Sequence, residues 1–235
     1  MTERQQRLLQ VLVDLYIKSA EPVSSQMLAS AGNLDVSTAT VRNDLALLEE
    51  NGYVMQPHTS AGRIPTEKGY RFYIEWFVDK KGVAVPERRR LRAEARVEDA
   101  TSQAVRRVAR TIADLTGEAV IVSSGREPAY ALGMAQLFAQ PEFANPDMVL
   151  SLARLFDDVE ECMPMLRRQL GADVHIFLGA ENPFGNQLAA VAATYPVRGH
   201  PPGILGILGP SRMRYGYHVA LLRESCDLIQ SLTYV

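Results

Sequence analysis

The sequence predicts an α+β protein with two domains: a small N-terminal domain of helices and a hairpin, and a C-terminal antiparallel sheet with flanking helices. Before residue 52, three segments carry apolar residues at helical spacing, and a turn-rich segment follows them. From residue 118 onward, short apolar runs alternate with helical segments. We therefore expect domains at 1–78 and 87–235, joined by a polar, turn-prone linker at 79–86.

Two helices are predicted before residue 32. The first starts at residues 2–5, and its apolar positions follow the helical period. These positions are Leu8, Leu9, Leu12, Val13 and Tyr16. The second helix is shorter, with Ser24 or Ser25 as its N-cap and with Met27 and Leu28 turned inward.

The third predicted helix has the layout of a DNA recognition helix. Ser37 is a suitable N-cap, and Gly52 suits the turn after the last helical residues. The residues spaced to face a core are Val41, Leu45 and Leu48. The opposite side, near the N-terminus, carries Thr38, Ala39, Arg42 and Asn43. In a major groove, Arg and Asn can pair with guanine and adenine, and small side chains allow close approach.

A hairpin is predicted directly after this helix. Residues 53–56 form its first strand, residues 57–63 are a loop of small and polar residues, and a return strand starts at Ile64. Three helices followed by a hairpin make a winged helix-turn-helix, whereas a plain three-helix bundle has no such loop. The loop side chains suit phosphate or minor-groove contacts.

The sequence thus predicts a duplex DNA-binding surface made by the third helix and the loop. The residues that we expect to contact DNA are Ser25, Ser37, Thr38, Ala39, Thr40, Arg42, Asn43, His58, Thr59, Ser60 and Arg63.

The average charge of the chain does not reveal this surface. The formal net charge is −2 at pH 7, and residues 1–78 hold slightly more acidic than basic side chains. The cations expected around the helix and loop are Arg42, Arg63, Lys68 and Arg71. The carboxylates expected to face away are Asp14, Glu49 and Glu50. What matters for DNA binding is where the cations lie, and we expect a modest non-specific affinity.

Cysteine usage and hydropathy point to a reduced cytoplasmic protein. Cys162 and Cys226 are far apart and lack metal-ligand spacing, so we expect buried structural thiols. We find neither a signal sequence nor an apolar run long enough for a bilayer, and we expect no membrane contact, metal or cofactor.

One long helical stretch is predicted from Pro86 to Gly117. Its first half is rich in arginine: Arg88, Arg89, Arg90, Arg92 and Arg96. These arginines form either a solvated helix face or a phosphate-contacting face beside the DNA. Its second half has an apolar stripe of too few heptads for a coiled coil, so we expect packing on its own domain. The stripe consists of Val105, Val108, Ile112 and Leu115.

The C-terminal domain is predicted to hold strands at 119–123, 174–178, 188–194 and 203–208, and helices at 147–170 and 215–232. Candidate ligand-binding residues are His175, Glu181, Asn182, Arg212 and Tyr215. They form neither a metal set nor an acid–base pair, and we interpret His175 as a core residue. No catalytic motif is recognisable, so enzyme activity is not expected.

Several segments resemble one bacterial family, the HrcA heat-inducible transcription repressors. In the N-terminal domain the similar segments are 22–25, 37–44, 48–53 and, most specifically, 57–71. Further similar segments lie at 140–143, 179–182 and 206–215, in what the resemblance implies is a GAF-like domain used for regulation or dimerisation. The resemblance also implies a homodimer on an inverted-repeat operator of the CIRCE type upstream of chaperone genes. It further implies activation by the GroE chaperonin.

The chain departs from this family at one place. Longer members carry an inserted dimerisation domain where residues 119–124 here run through 125–128 almost directly to Leu132. We therefore expect the insertion to be absent from this chain, which changes the expected mode of dimerisation. Two alternative functions stay open: a winged-helix regulator whose GAF-like domain senses a small ligand, and a protein-interaction module that has lost DNA binding.

Overall fold

The computed structural model describes residues 1–31, 36–78, 82–95, 101–124 and 127–233. The chain divides into two compact units. The first comprises Met1–Asp79 with Ser211–Arg214, and the second comprises Lys80–Pro210 with Tyr215–Val235.

The first unit begins with the three predicted helices: α1 (Glu3–Ser19), α2 (Ser25–Ala31) and α3 (Thr38–Glu50). A capping box of Thr2 and Gln5 starts α1, and Ser24 caps α2 by accepting a hydrogen bond from the Met27 amide at 3.2 Å. Leu28 is fully buried as predicted, but the prediction for Met27 is wrong, because 42% of its surface is exposed. A seven-residue helix turns only a narrow side inward, and Met27 lies beside that side.

The predicted hairpin follows α3 and is short. Strand β1 (Val54–Met55) pairs antiparallel with β2 (Ile64–Pro65), and residues 56–63 form the loop between them. Helix α4 (Glu67–Phe77) follows, and the Thr66 side chain caps it by accepting a hydrogen bond from the Gly69 amide. This order of elements confirms the winged helix-turn-helix, and we call residues 54–65 the wing.

The second unit begins with two helices where the sequence predicted one. Helix α5 (Val85–Glu94) ends at Ala95, and helix α6 (Thr101–Thr116) ends at Gly117, which adopts a left-handed conformation with φ of +73°. Pro86 lies in the first turn of α5, as expected. The apolar stripe of α6 is mostly buried against its own unit, which confirms the predicted packing.

A five-stranded antiparallel sheet forms the centre of the second unit, in the order β4-β3-β7-β6-β5. Its strands are β3 (Ala119–Ser123), β4 (Tyr130–Leu132), β5 (His175–Phe177), β6 (Ala189–Tyr195) and β7 (Gly203–Gly209). Four of them were predicted, and β4 was missed because it has only three residues at an edge. Helix α6 packs on the sheet together with α10 (Tyr215–Thr233).

The described part of this unit also contains three more helices and two 3₁₀ turns. The helices are α7 (Met134–Phe138), α8 (Pro146–Asp157) and α9 (Val159–Gln169), and the 3₁₀ turns are Pro141–Phe143 and Gly179–Glu181. One sheet face shares an apolar cluster with α8 and α9 through Ile121, Phe177, Leu152 and Leu166. The predicted single helix at 147–170 is broken at Asp158, whose ψ of +25° departs from helical geometry. The predicted α+β architecture is confirmed, with these breaks and with further elements that were not predicted, among them α4, β4 and α7.

Among the described helices, none combines the length and apolar character needed to cross a bilayer.

Candidate nucleic-acid interface

The N-terminal half of α3 presents a polar face to the solvent. The Ser37 hydroxyl caps the helix by accepting a hydrogen bond from the Thr40 amide at 3.2 Å, and the two hydroxyls lie 3.0 Å apart. The residues predicted to face the core, Val41, Leu45 and Leu48, are buried. Burial of this side fixes the rotation of the helix, so the opposite side is exposed. That side consists of Ala39, Arg42, Asn43 and Ala46.

Arg42 is oriented by α2. Its Nε donates to the Ser25 hydroxyl at 3.3 Å, which joins two predicted DNA-contact residues from different helices. Within the described part of the chain, the Arg42 guanidinium has no carboxylate partner, so its remaining donors stay available for a ligand. Asn43 is exposed one residue further along the same face. Thr38 and Thr40 are half-buried beside them.

The wing loop presents a second exposed surface at its tip, formed by His58, Thr59 and Ser60. The Gln56 side-chain amide folds the loop by donating to the Thr59 and Ala61 carbonyl oxygens at 2.9 and 2.8 Å. A backbone bond from Ala61 to His58 closes the turn. The tip is therefore held in shape by contacts within the loop.

Arg63 lies at the base of the wing, away from this tip. Its guanidinium forms an ion pair with Glu49 at 2.8 Å, and only 21% of its side chain is exposed. The expectation that Glu49 faces away from the basic groups is thus wrong, because the return strand brings Arg63 back to the last turn of α3. Sequence analysis gave no signal for this contact, which joins residues 14 positions apart.

Two further cations predicted near the interface have partners within their own unit. Lys68 donates to the Asn51 carbonyl oxygen at 2.9 Å and lies 4.4 Å from the centre of the Tyr53 ring. Arg71 pairs with Glu67 one helical turn earlier.

Asp14, expected to face away, accepts a hydrogen bond from the Tyr73 hydroxyl at 2.6 Å. Burial and this hydrogen bond raise the pKa of Tyr73.

A buried carboxylate that the sequence analysis missed supports α3 from behind. Asp44 is 3% exposed and accepts two hydrogen bonds from the Arg4 guanidinium of α1, at 2.6 and 3.1 Å. A signal was present, because Asp44 shares the helical spacing of the buried residues Val41, Leu45 and Leu48. An acidic residue at such a position needs a cationic or hydrogen-bonding partner.

Three of the four arginines of α5 have acidic partners, whereas Arg89 is exposed and has none among the described residues. Arg88 and Arg92 lie 3.0 and 3.5 Å from Glu224, and Arg90 lies 2.8 Å from Asp114. These pairs favour the solvated-face interpretation over phosphate contact. Arg96 lies outside the described residues.

The five candidate ligand residues are divided between the two units: Arg212 belongs to the first, and the other four belong to the second. The interpretation of His175 as a core residue is wrong, because it is exposed on the edge strand β5. Asn182 is buried but bonds to the Leu188 carbonyl and the Phe184 amide, which is a structural role. A groove of about 580 Å³ lies between α8, α9 and residues 183–187, and none of the five candidates lines it.

The two cysteines differ in exposure: the prediction of a buried thiol is confirmed for Cys162, whereas Cys226 is half-buried. Cys162 is buried, and burial raises its pKa. Burial also raises the pKa of Cys226 to about 12. Across the described residues, no three His, Cys, Asp or Glu side chains are arranged to hold a metal ion.

Comparison with known proteins matches both units to one family. A family model described as "Winged helix-turn-helix transcription repressor, HrcA DNA-binding" matches residues 1–75. A second, described as "HrcA protein C terminal domain", matches residues 80–219. The fold is also similar to the crystal structure of a hypothetical protein, with a TM-score of 0.76, 19% identity and coverage of 99% of this chain and 97% of the other. At that identity the similarity shows the fold alone.

Curated relatives carry the name heat-inducible transcription repressor HrcA. The protein of Kineococcus radiotolerans is 42% identical over 120 residues, which are 51% of this chain and 35% of the relative. The chain thus spans about a third of the length of such relatives. That of Brevibacillus brevis is 26% identical over 330 residues, covering 97% of this chain and 96% of the relative. Because this alignment is longer than the 235-residue chain, the relative contains segments with no counterpart here.

The models and relatives describe transcription repressors and not enzymes, and together the two models cover most of the sequence. The chain belongs to the HrcA family of heat-inducible transcription repressors.

Proposed function

We propose that this protein represses chaperone genes of the heat-shock response by binding, as a homodimer, to an inverted-repeat operator of the CIRCE type. The observation that carries the proposal is the exposed N-terminal face of α3, where Arg42 and Asn43 keep free donors beside a structured wing. The match to an HrcA DNA-binding model over residues 1–75 supports the same conclusion.

In this mechanism α3 enters the major groove with its N-terminal half. Arg42 donates to guanine O6 and N7, Asn43 pairs with adenine, and Thr38 and Ala39 allow close approach. Ser25, Ser37 and Thr40 lie at the ends of α2 and α3, where hydroxyls reach phosphates. The wing tip contacts the adjacent backbone or minor groove.

An inverted repeat requires two protomers whose recognition helices are about one helical turn of DNA apart. The second unit is the proposed dimerisation and regulatory unit, since the relatives' additional segments are absent. Its partner in regulation would be the GroE chaperonin. For this to work, the chaperonin must bind the DNA-competent state more tightly than the inactive one. Because the target is chromosomal DNA, we place the protein in the cytoplasm.

Genome-wide mapping of bound DNA tests this proposal, since one measurement gives the target sequence, its symmetry and the regulated genes. We expect an inverted repeat upstream of chaperone operons. A titration at several salt concentrations should then show affinity falling with salt, because the Arg and Lys groups displace counterions. Diffuse occupancy without a shared motif would contradict the proposal.

A second candidate function is ligand sensing by the second unit. The groove of about 580 Å³ beside α8 and α9 is within the size range of small-molecule sites and motivates this alternative. A reproducible rise in melting temperature with a metabolite library, and none with the chaperonin, would favour it. A rise with the chaperonin alone would favour the first proposal.

A further inference from the structure

We infer that Glu49 is a positioning residue for DNA binding: its carboxylate locks the wing to the recognition helix and holds Arg63 away from the DNA backbone. The inference rests on the proposed DNA binding and assigns Arg63 a different role from the phosphate contact that the sequence suggests. We call Glu49, Gln56 and Arg63 the wing clamp.

The two oxygens of Glu49 bind the two ends of the wing. Oε1 accepts a hydrogen bond from the Gln56 backbone amide at 3.1 Å, where the chain leaves β1. Oε2 accepts from Arg63 Nε at 2.9 Å, just before β2. One side chain of α3 therefore fixes both the outgoing and the returning strand of the wing. Charge-assisted bonds of this kind are about twice as strong as neutral ones.

The returning strand has a second attachment outside α3. Arg63 forms a backbone bridge with Val23, in which each amide donates to the other residue's carbonyl at 2.9 Å. Val23 is fully buried directly before α2. The base of the wing is therefore held between α3, which carries Arg42, and the start of α2, which carries Ser25.

Electrostatics alone predicts the opposite effect of losing Glu49. Removing a carboxylate near a DNA surface reduces repulsion of the phosphates and should strengthen binding. Glu50 is the neighbouring residue on α3, and its exposed carboxylate makes Glu50→Gln a matched control for charge. If the wing clamp operates, Glu49→Ala weakens binding, whereas Glu50→Gln leaves binding unchanged or strengthens it.

The experiment uses the full chain and a duplex selected by the wild-type protein from a random library. We expect Glu49→Ala and Arg63→Gln each to weaken binding about tenfold, with Glu49→Gln closer to wild type because its amide oxygen can still accept a bond. The double variant Glu49→Ala/Arg63→Gln should bind the duplex no more weakly than the weaker-binding single variant, because both substitutions disrupt the same wing clamp.

The salt dependence separates positioning from phosphate contact. If Arg63 only positions the wing, Arg63→Gln leaves the slope of log K against log salt unchanged. If Arg63 contacts a phosphate, the slope in Arg63→Gln becomes shallower, its magnitude being smaller by about 0.9. That shallower slope, or a Glu49→Ala variant that binds as tightly as Glu50→Gln, would overturn the inference.

Hydrogen exchange of the free protein tests the wing clamp without DNA. Glu49→Ala should accelerate exchange of the Gln56 amide, whereas Glu50→Gln should not, and exchange in the α1 core should stay slow if the fold is intact. Unchanged exchange at Gln56 would also overturn the inference. Failure of the wild-type chain to select any duplex would instead overturn the proposed function.

Discussion

Arg42 on α3 and the arginines of α5 show two different uses of the same side chain. Three arginines of α5 pair with Glu224 or Asp114 of their own unit. Arg42 is held only by the Ser25 hydroxyl among the described residues and keeps its charge for a ligand. Arg89, the fourth arginine of α5, is exposed and has no acidic partner among the described residues, so the contrast holds for the other three. For Arg42 and these three, an acidic partner, and not the local number of cations, separates an arginine held within its own unit from one whose charge is available to a ligand.

We expect substitutions on the exposed face of α3 to have the largest effect on DNA binding. Arg42→Ala and Asn43→Ala should each lower specific operator affinity by about 1–3 kcal/mol, because each removes the bidentate base contact proposed for that side chain. Arg42→Lys keeps the charge but loses the planar fork, so it should recover non-specific binding only. Titrations with operator and scrambled duplexes measure both quantities. Wild-type affinity in both alanine variants would exclude this face.

The next effect concerns an arginine that supports the fold. Arg4→Ala should lower the free energy of unfolding clearly more than Arg7→Ala does, because the buried Asp44 carboxylate loses its two shortest hydrogen bonds. Arg7→Ala is the matched control on the same helix, where an exposed Arg bonds only to Gln10, and should change stability by about 0.5 kcal/mol or less. Chemical denaturation compares the two. Equal losses of unfolding free energy in the two variants would show that the Arg4–Asp44 pair stabilises the fold no more than an exposed arginine does.

A smaller effect is expected on α5. Arg88→Gln, Arg90→Gln and Arg92→Gln should each cost about 1 kcal/mol of stability or less, because these ion pairs are partly exposed to solvent. Operator affinity and its salt slope should remain those of the wild type. A reduced slope in any of the three would show that α5 contacts phosphates and would remove the contrast with Arg42.

The smallest effect is expected at the cysteines. The raised pKa of Cys226, about 12, leaves little thiolate at pH 8, and burial raises the pKa of Cys162 as well. Alkylation of the native protein at pH 8 should be slow at both sites and should become fast in denaturant. Rapid labelling of the native protein would show that the second unit opens.

Local sequence signals were sufficient for the elements that carry the candidate interface. Ser37 and the spacing of Val41, Leu45 and Leu48 predicted α3 and the side it exposes, and the turn residues before Ile64 predicted the wing. Such signals act within one or two helical turns, so they are visible in the sequence. Strand β4 was missed because three residues at a sheet edge carry too little periodicity.

Contacts between distant residues were the part that could not be predicted. The pairs Arg4–Asp44 and Arg63–Glu49 join residues 40 and 14 positions apart, and only the packed fold brings them together. Arg63 has an acidic partner where a DNA contact was predicted, and Arg4, for which no role was predicted, supports α3. His175 was misjudged for the same reason, because an apolar strand pattern does not tell whether the strand lies at an edge.

Gly62 sets a limit on how this surface can diversify. A methyl group at this position would overlap the Val23 carbonyl oxygen, so the wing can rest against the start of α2 only if residue 62 has no side chain. The tip residues 58–60 face solvent and have no such restriction. We therefore expect the fold to accept substitutions at residues 58–60, whereas any side chain at residue 62 would push the wing away from the start of α2.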